Sequence, residues 1–269
     1  MGTQELAAHE VVAFNIAAAS ENKIHDDSIA RRFGFNGALV PGVAVYAYMA
    51  HMPVARWGRA WLERGEAECR FRKPIYDGGI ARVTAAEENG GLTLSVDCAG
   101  IQCATGHALM PADPQTAPEI ERLPARMPPR ERPQASEQSL AAGTSLGIAP
   151  LTIDDAMLAN YLDAIRETDA IYRREGLLHP GQILQLANRA LLENVVLGLW
   201  IHVRSKVRNR AAARVGDQLT LRATITSNQL VKGHATVEFD AIAVANGTKT
   251  IAEIEHAAIW RPRQDAQAN

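Results

Sequence analysis

The chain carries a diverged copy of itself, and this constrains its fold more than any other feature. Four anchors occur twice in the same order: Ile24-His25 and Ile171-Tyr172, Pro41-Gly42 and Pro180-Gly181, Gly78-Gly79 before IARVTA and Gly216-Asp217 before QLTLRA, His107-Ala108 and His256-Ala257. The second copy is shorter before its Pro-Gly step and longer at its last hairpin, as small loop changes would leave it. Whatever the first half builds, the second builds again.

Each half reads as an irregular segment, one long helix after the Pro-Gly, then strands. The first helix is expected from about Val43 to Glu63, where Val43, Tyr46, Ala47, Ala50, Val54, Trp57 and Trp61 recur at three- and four-residue steps. The second, GQILQLANRALLENVVLG, places Ile183, Leu184, Ala187, Leu191 and Val195 on one stripe, with Gly198 as the expected terminator. Alternating stretches follow in both halves, with turn signals at Asn89-Gly90-Gly91 and Asn246-Gly247. One helix against several antiparallel strands is an α+β unit. With 47% hydrophobic residues, 269 residues suffice for two modest cores. Residues 111–150 hold eight of the thirteen prolines and read as a linker without regular structure. The expected division is 1–110 and 151–263 for the two units, with 264–269 as a tail.

Composition closes several functional classes. A net charge of −2 gives no electrostatic case for nucleic acid. No apolar run approaches the roughly 18 residues of a membrane helix, and the start, MGTQELAAHEVVAF, has no basic region followed by an apolar signal core. Cys69, Cys98 and Cys103 lack metal-ligand spacing and read as reduced, buried thiols. A cytoplasmic protein with no metal or other cofactor is the expectation.

The chemistry concentrates between Ser20 and Gly42, SENKIHDDSIARRFGFNGALVPG. An Asn, a His and several carboxylates share a polar loop, and the Pro-Gly step opens a helix whose first N–H groups are free to meet an anionic or carbonyl oxygen. This stretch resembles the MaoC-like, (R)-specific enoyl-CoA hydratase family, whose signature is Asp-x-Asn-Pro-Ile/Leu-His-x-Asp, then Ala, then Gly-Phe. Here it stands as Ser20-Glu21-Asn22-Lys23-Ile24-His25-Asp26-Asp27, then Ala30, then Gly34-Phe35. The family's His-Gly helix start appears as Pro41-Gly42, and its Phe-x-x-Pro-Val strand as Phe71-Arg72-Lys73-Pro74-Ile75 before Gly78-Gly79. As architecture the resemblance covers both halves and implies a double hotdog; as a site motif it is confined to about residues 20 to 42. It implies that an Asp and the His act together on a water while a backbone N–H at the helix start polarises a thioester carbonyl. Ser20 stands where the Asp belongs and Lys23 where the Pro belongs, so His25 must work alone or borrow a partner.

The second copy supplies what the first lacks and lacks what the first supplies. Aligned on Ile171, Glu167 falls at the Asp position and Tyr172 at the His position, and His179-Pro180-Gly181 resembles the helix-start element. The candidate catalytic residues are therefore His25, Glu167 and Tyr172, and the candidate substrate-binding residues Asn22, Gly42, His179 and Gly181. Each has a plainer reading. Asn22 and Asp27 can orient the loop through backbone hydrogen bonds, Gly42 can be simple helix-start geometry, and Tyr172 a packed ring. Glu167 and Asp169 can lie on the solvated face of an amphipathic helix, NYLDAIRETDAIYRREG, with Leu162, Ile165 and Ile171 inward. His202 is a weaker candidate on a strand; His51 reads as packing, and His107 and His256 as structural. Arg70, Arg72, Lys73, Arg204, Lys206, Arg208 and Arg210 read as a solvated face or, more sharply, as partners for the phosphates of CoA or a carrier protein.

The resemblance implies a hydro-lyase: hydration or dehydration at the α,β-position of an acyl thioester such as an acyl-CoA. A hotdog thioesterase using Glu167 or Asp169 to activate water, and a non-catalytic acyl-binding or partner subunit, are the alternatives. A homodimer is expected as a possible assembly, with neither nucleic acid nor membrane as a partner.

Overall fold

The computed structural model describes residues 6–32 and 34–263; the expected tail, 264–269, lies outside the described residues. The first half runs β1 (His9–Val12), a 3-10 turn (Lys23–His25), α1 (Asp27–Arg32), α2 (Gly42–Trp57), α3 (Arg59–Arg64), β2 (Glu66–Phe71), β3 (Ile80–Glu88), β4 (Gly91–Cys98) and β5 (Ile101–Leu109). The second runs β6 (Ser145–Gly147), β7 (Leu151–Thr152), α4 (Asp155–Ala164), α5 (Ile171–Glu175), α6 (Pro180–Asn194), β8 (Ile201–Asn209), β9 (Gln218–Val231), β10 (His234–Ala245) and β11 (Lys249–Arg261). Among the described residues, eleven strands share one antiparallel sheet, ordered β1-β3-β4-β5-β2-β8-β11-β10-β9-β6, with β7 also paired to β9. Read outward from the β2/β8 seam the two halves mirror each other, which is the duplication seen in three dimensions. At the seam Cys69 stands opposite Ser205 and Arg70 opposite Arg204.

Three tight turns, Asn89-Gly90, Ala99-Gly100 and Lys232-Gly233, have positive φ at both residues, the geometry that matches the twist of a two-residue hairpin. The Ala99-Gly100 turn splits the first half's last apolar stretch into β4 and β5, so Cys98 and Cys103 lie on different strands. All three cysteines are free, and burial pushes the Cys69 thiol up to about 12.

α2 and α6 pack on each other and on the sheet. Because α2 is covered by sheet on one side and by α6 on the other, eleven of its residues are buried and no solvated face remains for most of its length. The expected continuous helix from Val43 to Glu63 breaks at Gly58, whose φ of 60° closes α2 through a bond from its amide to the Val54 carbonyl (2.7 Å). α3 then turns Trp61 fully inward. α6 ends at Asn194 rather than Gly198, because Val195 is extended and Val196 pairs with the linker, donating to the Pro133 carbonyl and accepting from the Ala135 amide. Residues 111–150 are mostly irregular, but β6 lies within them and pairs with β9. In the same stretch Ile120 and Leu123 pack on Ile242 and Val244, held by the Arg222 guanidinium on their carbonyls.

The continuous amphipathic helix expected over residues 160–176 is also broken. Arg166 has a φ of 59°, the Glu167 carboxylate accepts from the Asp169 amide (2.7 Å), and the Asp169 carboxylate accepts from the Ile171 amide (2.9 Å). Local side-chain acceptors here outcompete the helix for backbone donors. The break ends α4, starts α5, and swings Glu167 inward.

Candidate active site

A cavity of about 330 Å³ opens where the first half's polar loop meets the second half's sheet. Asn22, His25, Leu39, Gly42, Phe71, Arg72, Lys73 and Cys103 line it from one side, and Asn188, Trp200, His202, His234 and Ile259 from the other. The stretch from Ser20 to Gly42 thus supplies one wall, and its own repeat supplies none of the lining; the opposite wall comes from elsewhere in the second half.

Asn22 builds the loop. Its side-chain oxygen faces the Ile24 amide (3.4 Å), capping the 3-10 turn, and the Trp200 amide (3.5 Å), while its NH₂ donates to the Trp200 carbonyl (2.9 Å). One amide side chain therefore staples the loop across the boundary between halves. The Asn15 side chain holds the His25 carbonyl (2.8 Å), and Asp27 accepts from the Ala38 amide (3.2 Å).

His25 is fixed by that frame. Its Nδ1 donates to the Leu39 carbonyl (2.7 Å), which accepts only, so Nδ1 carries the proton and Nε2 is bare. Nε2 lies 3.4 Å from the Asn22 amide nitrogen. Burial lowers the His25 pKa, with the Leu39 bond pulling the other way. The result is a neutral imidazole on the cavity wall whose basic nitrogen carries no proton and accepts only a long contact from the Asn22 amide. Ser20, at the position of the family Asp, is absent from the lining and only reaches the Asn22 carbonyl (3.4 Å).

Gly42 begins α2 after Pro41, which makes no side-chain cap. Among the described residues its amide meets no acceptor, and neither does that of Val43. A Cβ on Gly42 would stand 2.9 Å from His202 Nδ1 and 3.0 Å from the Phe71 ring. The glycine is needed for this close approach, not for backbone conformation.

Glu167, Tyr172, His179 and Gly181 converge, but away from the cavity lining. Glu167, its side chain only 2% exposed, receives His51 Nδ1 (2.8 Å) from α2 and His179 Nε2 (3.3 Å). His51, read as packing, is in fact a partner of this carboxylate and stacks on His9. Burial pushes the Glu167 pKa up, but the bonds from His179, His51 and the Asp169 amide outweigh it and hold the carboxyl well below the usual range. The solvated-face reading of Glu167 therefore fails. His179 also caps α6: its Nδ1 accepts from the Gly181 amide (3.0 Å) while Gln182 returns a bond to the His179 amide (3.0 Å). The Tyr172 ring packs on His179, and its hydroxyl is buried without a partner. A Cβ on Gly181 would collide with the Tyr161 hydroxyl and crowd Ala47 of α2.

Other cavity groups carry little sequence signal. Asn188 sits on the apolar α6 and presents a buried side-chain oxygen without a partner. Trp200 holds the loop through its carbonyl and amide, both bonded to the Asn22 side chain. The basic residues divide: Arg70, Arg204, Arg208 and Arg210 form ion pairs with Glu68, Glu238, Glu255 and Glu253, whereas Arg72 and Lys73 are exposed at the cavity. Among the described residues no helix is long and apolar enough to cross a membrane, and no group of three His, Cys, Asp or Glu is arranged to hold a metal ion.

No protein-family model matches the sequence, and no curated protein does. Solved structures do match in shape. A protein described as a MaoC domain dehydratase from Chloroflexus aurantiacus superposes with a TM-score of 0.64 at 13% identity, covering 98% of this chain and 95% of that one. A conserved Mycobacterium tuberculosis protein, essential for bacterial survival during infection and described as a double hotdog, gives 0.64 at 16% identity over 96% of each chain. A MaoC-like dehydratase gives 0.58 at 15% identity, covering 95% and 98%. With its mirrored halves, paired central helices and single sheet, this chain has the double hotdog fold of the MaoC-like dehydratase structures.

Proposed function

We propose that the protein is a hydro-lyase of the MaoC-like type, adding water to, or removing it from, the α,β-position of an acyl thioester bound in the cavity between the halves. The observation that carries this is the pairing of a bare His25 Nε2 with an uncapped helix start at Gly42 on one cavity wall. In hydration, the thioester carbonyl oxygen accepts from the Gly42 amide, at the positive end of the α2 dipole. Water adds through oxygen to the β-carbon as His25 Nε2 takes its proton. The C=C electrons move to the carbonyl oxygen as an enolate, which the amide stabilises. His25 then returns the proton to the α-carbon, so the elements of water are added and the base is regenerated. Asn22 orients the loop. Arg72 and Lys73, exposed at the cavity, suit the phosphates of CoA or a carrier protein.

The thioesterase alternative loses support because Glu167 and Asp169 lie outside the lining. The test mixes the purified protein with 2-enoyl-CoA and saturated acyl-CoA compounds while following enoyl absorbance and free thiol. Loss of enoyl absorbance without thiol is expected. Thiol release would assign a thioesterase, and binding with neither signal would assign a non-catalytic subunit.

A further inference from the structure

Behind the Gly42 wall three buried side chains form a chain that the mechanism above does not use. His202 Nε2 and the Ser205 hydroxyl are 2.8 Å apart, and the same hydroxyl is 2.9 Å from His256 Nδ1. The two imidazoles stack at 4.2 Å. His202 also meets Phe71 edge-on at 4.7 Å. At the two ends of the chain, His202 Nδ1 and His256 Nε2 are buried and have no partner.

The protons in this chain can be assigned. Burial lowers the His202 pKa to about 3, with the Arg204 carbonyl acting the other way, and burial, with His202 and Arg204 nearby, also lowers that of His256. Both rings are therefore neutral and carry one proton each. The Ser205 oxygen has one proton and two lone pairs. Two donations into it would strand its own proton, so one ring donates and the other accepts. If His202 Nε2 donates, His256 is left with an N–H aimed at no acceptor, in a packed site against Phe239, and an orphaned buried N–H is the rarer defect. If His256 Nδ1 donates, Ser205 passes its proton toward His202 Nε2, and the remaining N–H is on His202 Nδ1. That end is the one beside Gly42, 2.9 Å from the glycine's Cβ position, on a residue that lines the cavity. Only this arrangement puts the unpaired donor at the cavity end of the chain rather than in the packed interior against Phe239.

We infer that His202 is a second donor to the thioester carbonyl, its Nδ1–H acting beside the Gly42 amide, with Ser205 and His256 as positioning residues that hold the donor tautomer. The inference rests on the thioester reading above and makes the carbonyl pocket a joint product of the halves: the amide from the first, the imidazole from the second. It also gives the close approach of His202 Nδ1 to position 42 a purpose.

Tautomer state is observable without turnover. In the whole protein carrying isotope-labelled histidine, nitrogen chemical shifts distinguish a protonated from a bare ring nitrogen. The His202 signals are assigned by their loss in His202→Gln or, should that variant not fold, by their displacement in Ser205→Ala. At pH 7 the expected result is Nδ1 protonated and Nε2 bare, a mixed state in Ser205→Ala, and movement of the Nδ1–H signal on adding a 2-enoyl-CoA that the protein turns over. In parallel, kcat of His202→Phe should fall about 10²-fold, the usual cost of removing one donor to a developing oxyanion. Nδ1 found bare in a protein that hydrates enoyl-CoA overturns this inference alone. Nδ1 found protonated in a protein that neither binds nor turns over any thioester overturns the thioester reading, and with it the role assigned here.

Discussion

The starts of α2 and α6 are the same Pro-Gly step used twice, and they differ in what stands over them. At α2 no side chain caps the helix, and Gly42 lines a cavity. At α6 the His179 side chain takes the Gly181 amide, Gln182 completes the capping box, and Glu167 and His51 close over the whole. A helix amino terminus always presents donors that need acceptors. One copy leaves its first donors uncapped beside a cavity, where the proposed function puts a ligand, and the other satisfies them from within. A duplicated fold can thus keep one binding end and turn the other into a stabilising element.

The contrast can be broken first on activity. His25→Ala should lower enoyl-CoA turnover by about 10² to 10⁴, the usual contribution of a positioned base, with a smaller drop in unfolding midpoint, from the freed Leu39 carbonyl, than Glu167→Ala. Steady-state rates on the active thioester measure the first and denaturant melts the second. Glu167→Ala should do the reverse: on the order of 3 kcal/mol of stability at pH 7 disappears, because the donors of His51, His179 and the Asp169 amide lose a buried charged acceptor. Turnover in the folded fraction should stay close to wild type. A stable Glu167→Ala protein would mean that the second copy's cluster is not the structural element described.

The two glycines form a finer test. Gly181→Ala should cost about 1 to 3 kcal/mol by overpacking Tyr161 and Ala47, read as a lower denaturant midpoint. Gly42→Ala meets His202 and Phe71 and should raise KM or lower kcat at a smaller stability cost. Equal stability losses with unchanged kinetics would erase the distinction between the two helix starts.

The remaining test is pH dependence. His202 is neutral when folded down to about pH 3, but takes a proton in the unfolded chain below about 6.5. The unfolded state then binds more protons, so stability falls as pH drops below 6.5. Glu167, with its depressed pKa, has the same sign at lower pH: its contribution is present above about 4.5 and is lost as pH falls through the folded value. Melts from pH 7 to 4 should show progressive loss, and His202→Phe should be less acid-sensitive between 6.5 and 4. An unchanged slope would remove His202 from the buried, neutral set.

Much of this was legible in the residues. The paired Pro-Gly steps, the helix after each and the turn signals are local, so the duplication and the α+β units followed from pattern. The resemblance of Ser20 to Gly42 led to the loop that lines the cavity. What the sequence concealed depends on contacts between distant segments. The inward turn of Glu167 requires the break at Arg166, where Glu167 and Asp169 side chains take amides that a helix would have used. The reach of His51 to Glu167 crosses from one half to the other. Asn188 and His202 reach the cavity only because α6 and β8 of the second half close over the first half's loop; Asn188 sits in no motif, and His202 stands out only as a weaker candidate on a strand.

The most direct measurement compares His25→Ala with Tyr172→Phe, the same position in the two copies, for loss of enoyl absorbance on one active 2-enoyl-CoA. The account predicts that His25→Ala loses at least about 10² in rate while Tyr172→Phe stays within a few-fold of wild type. Activity that survives His25→Ala and disappears in Tyr172→Phe would contradict it, moving the working site to the sealed second copy.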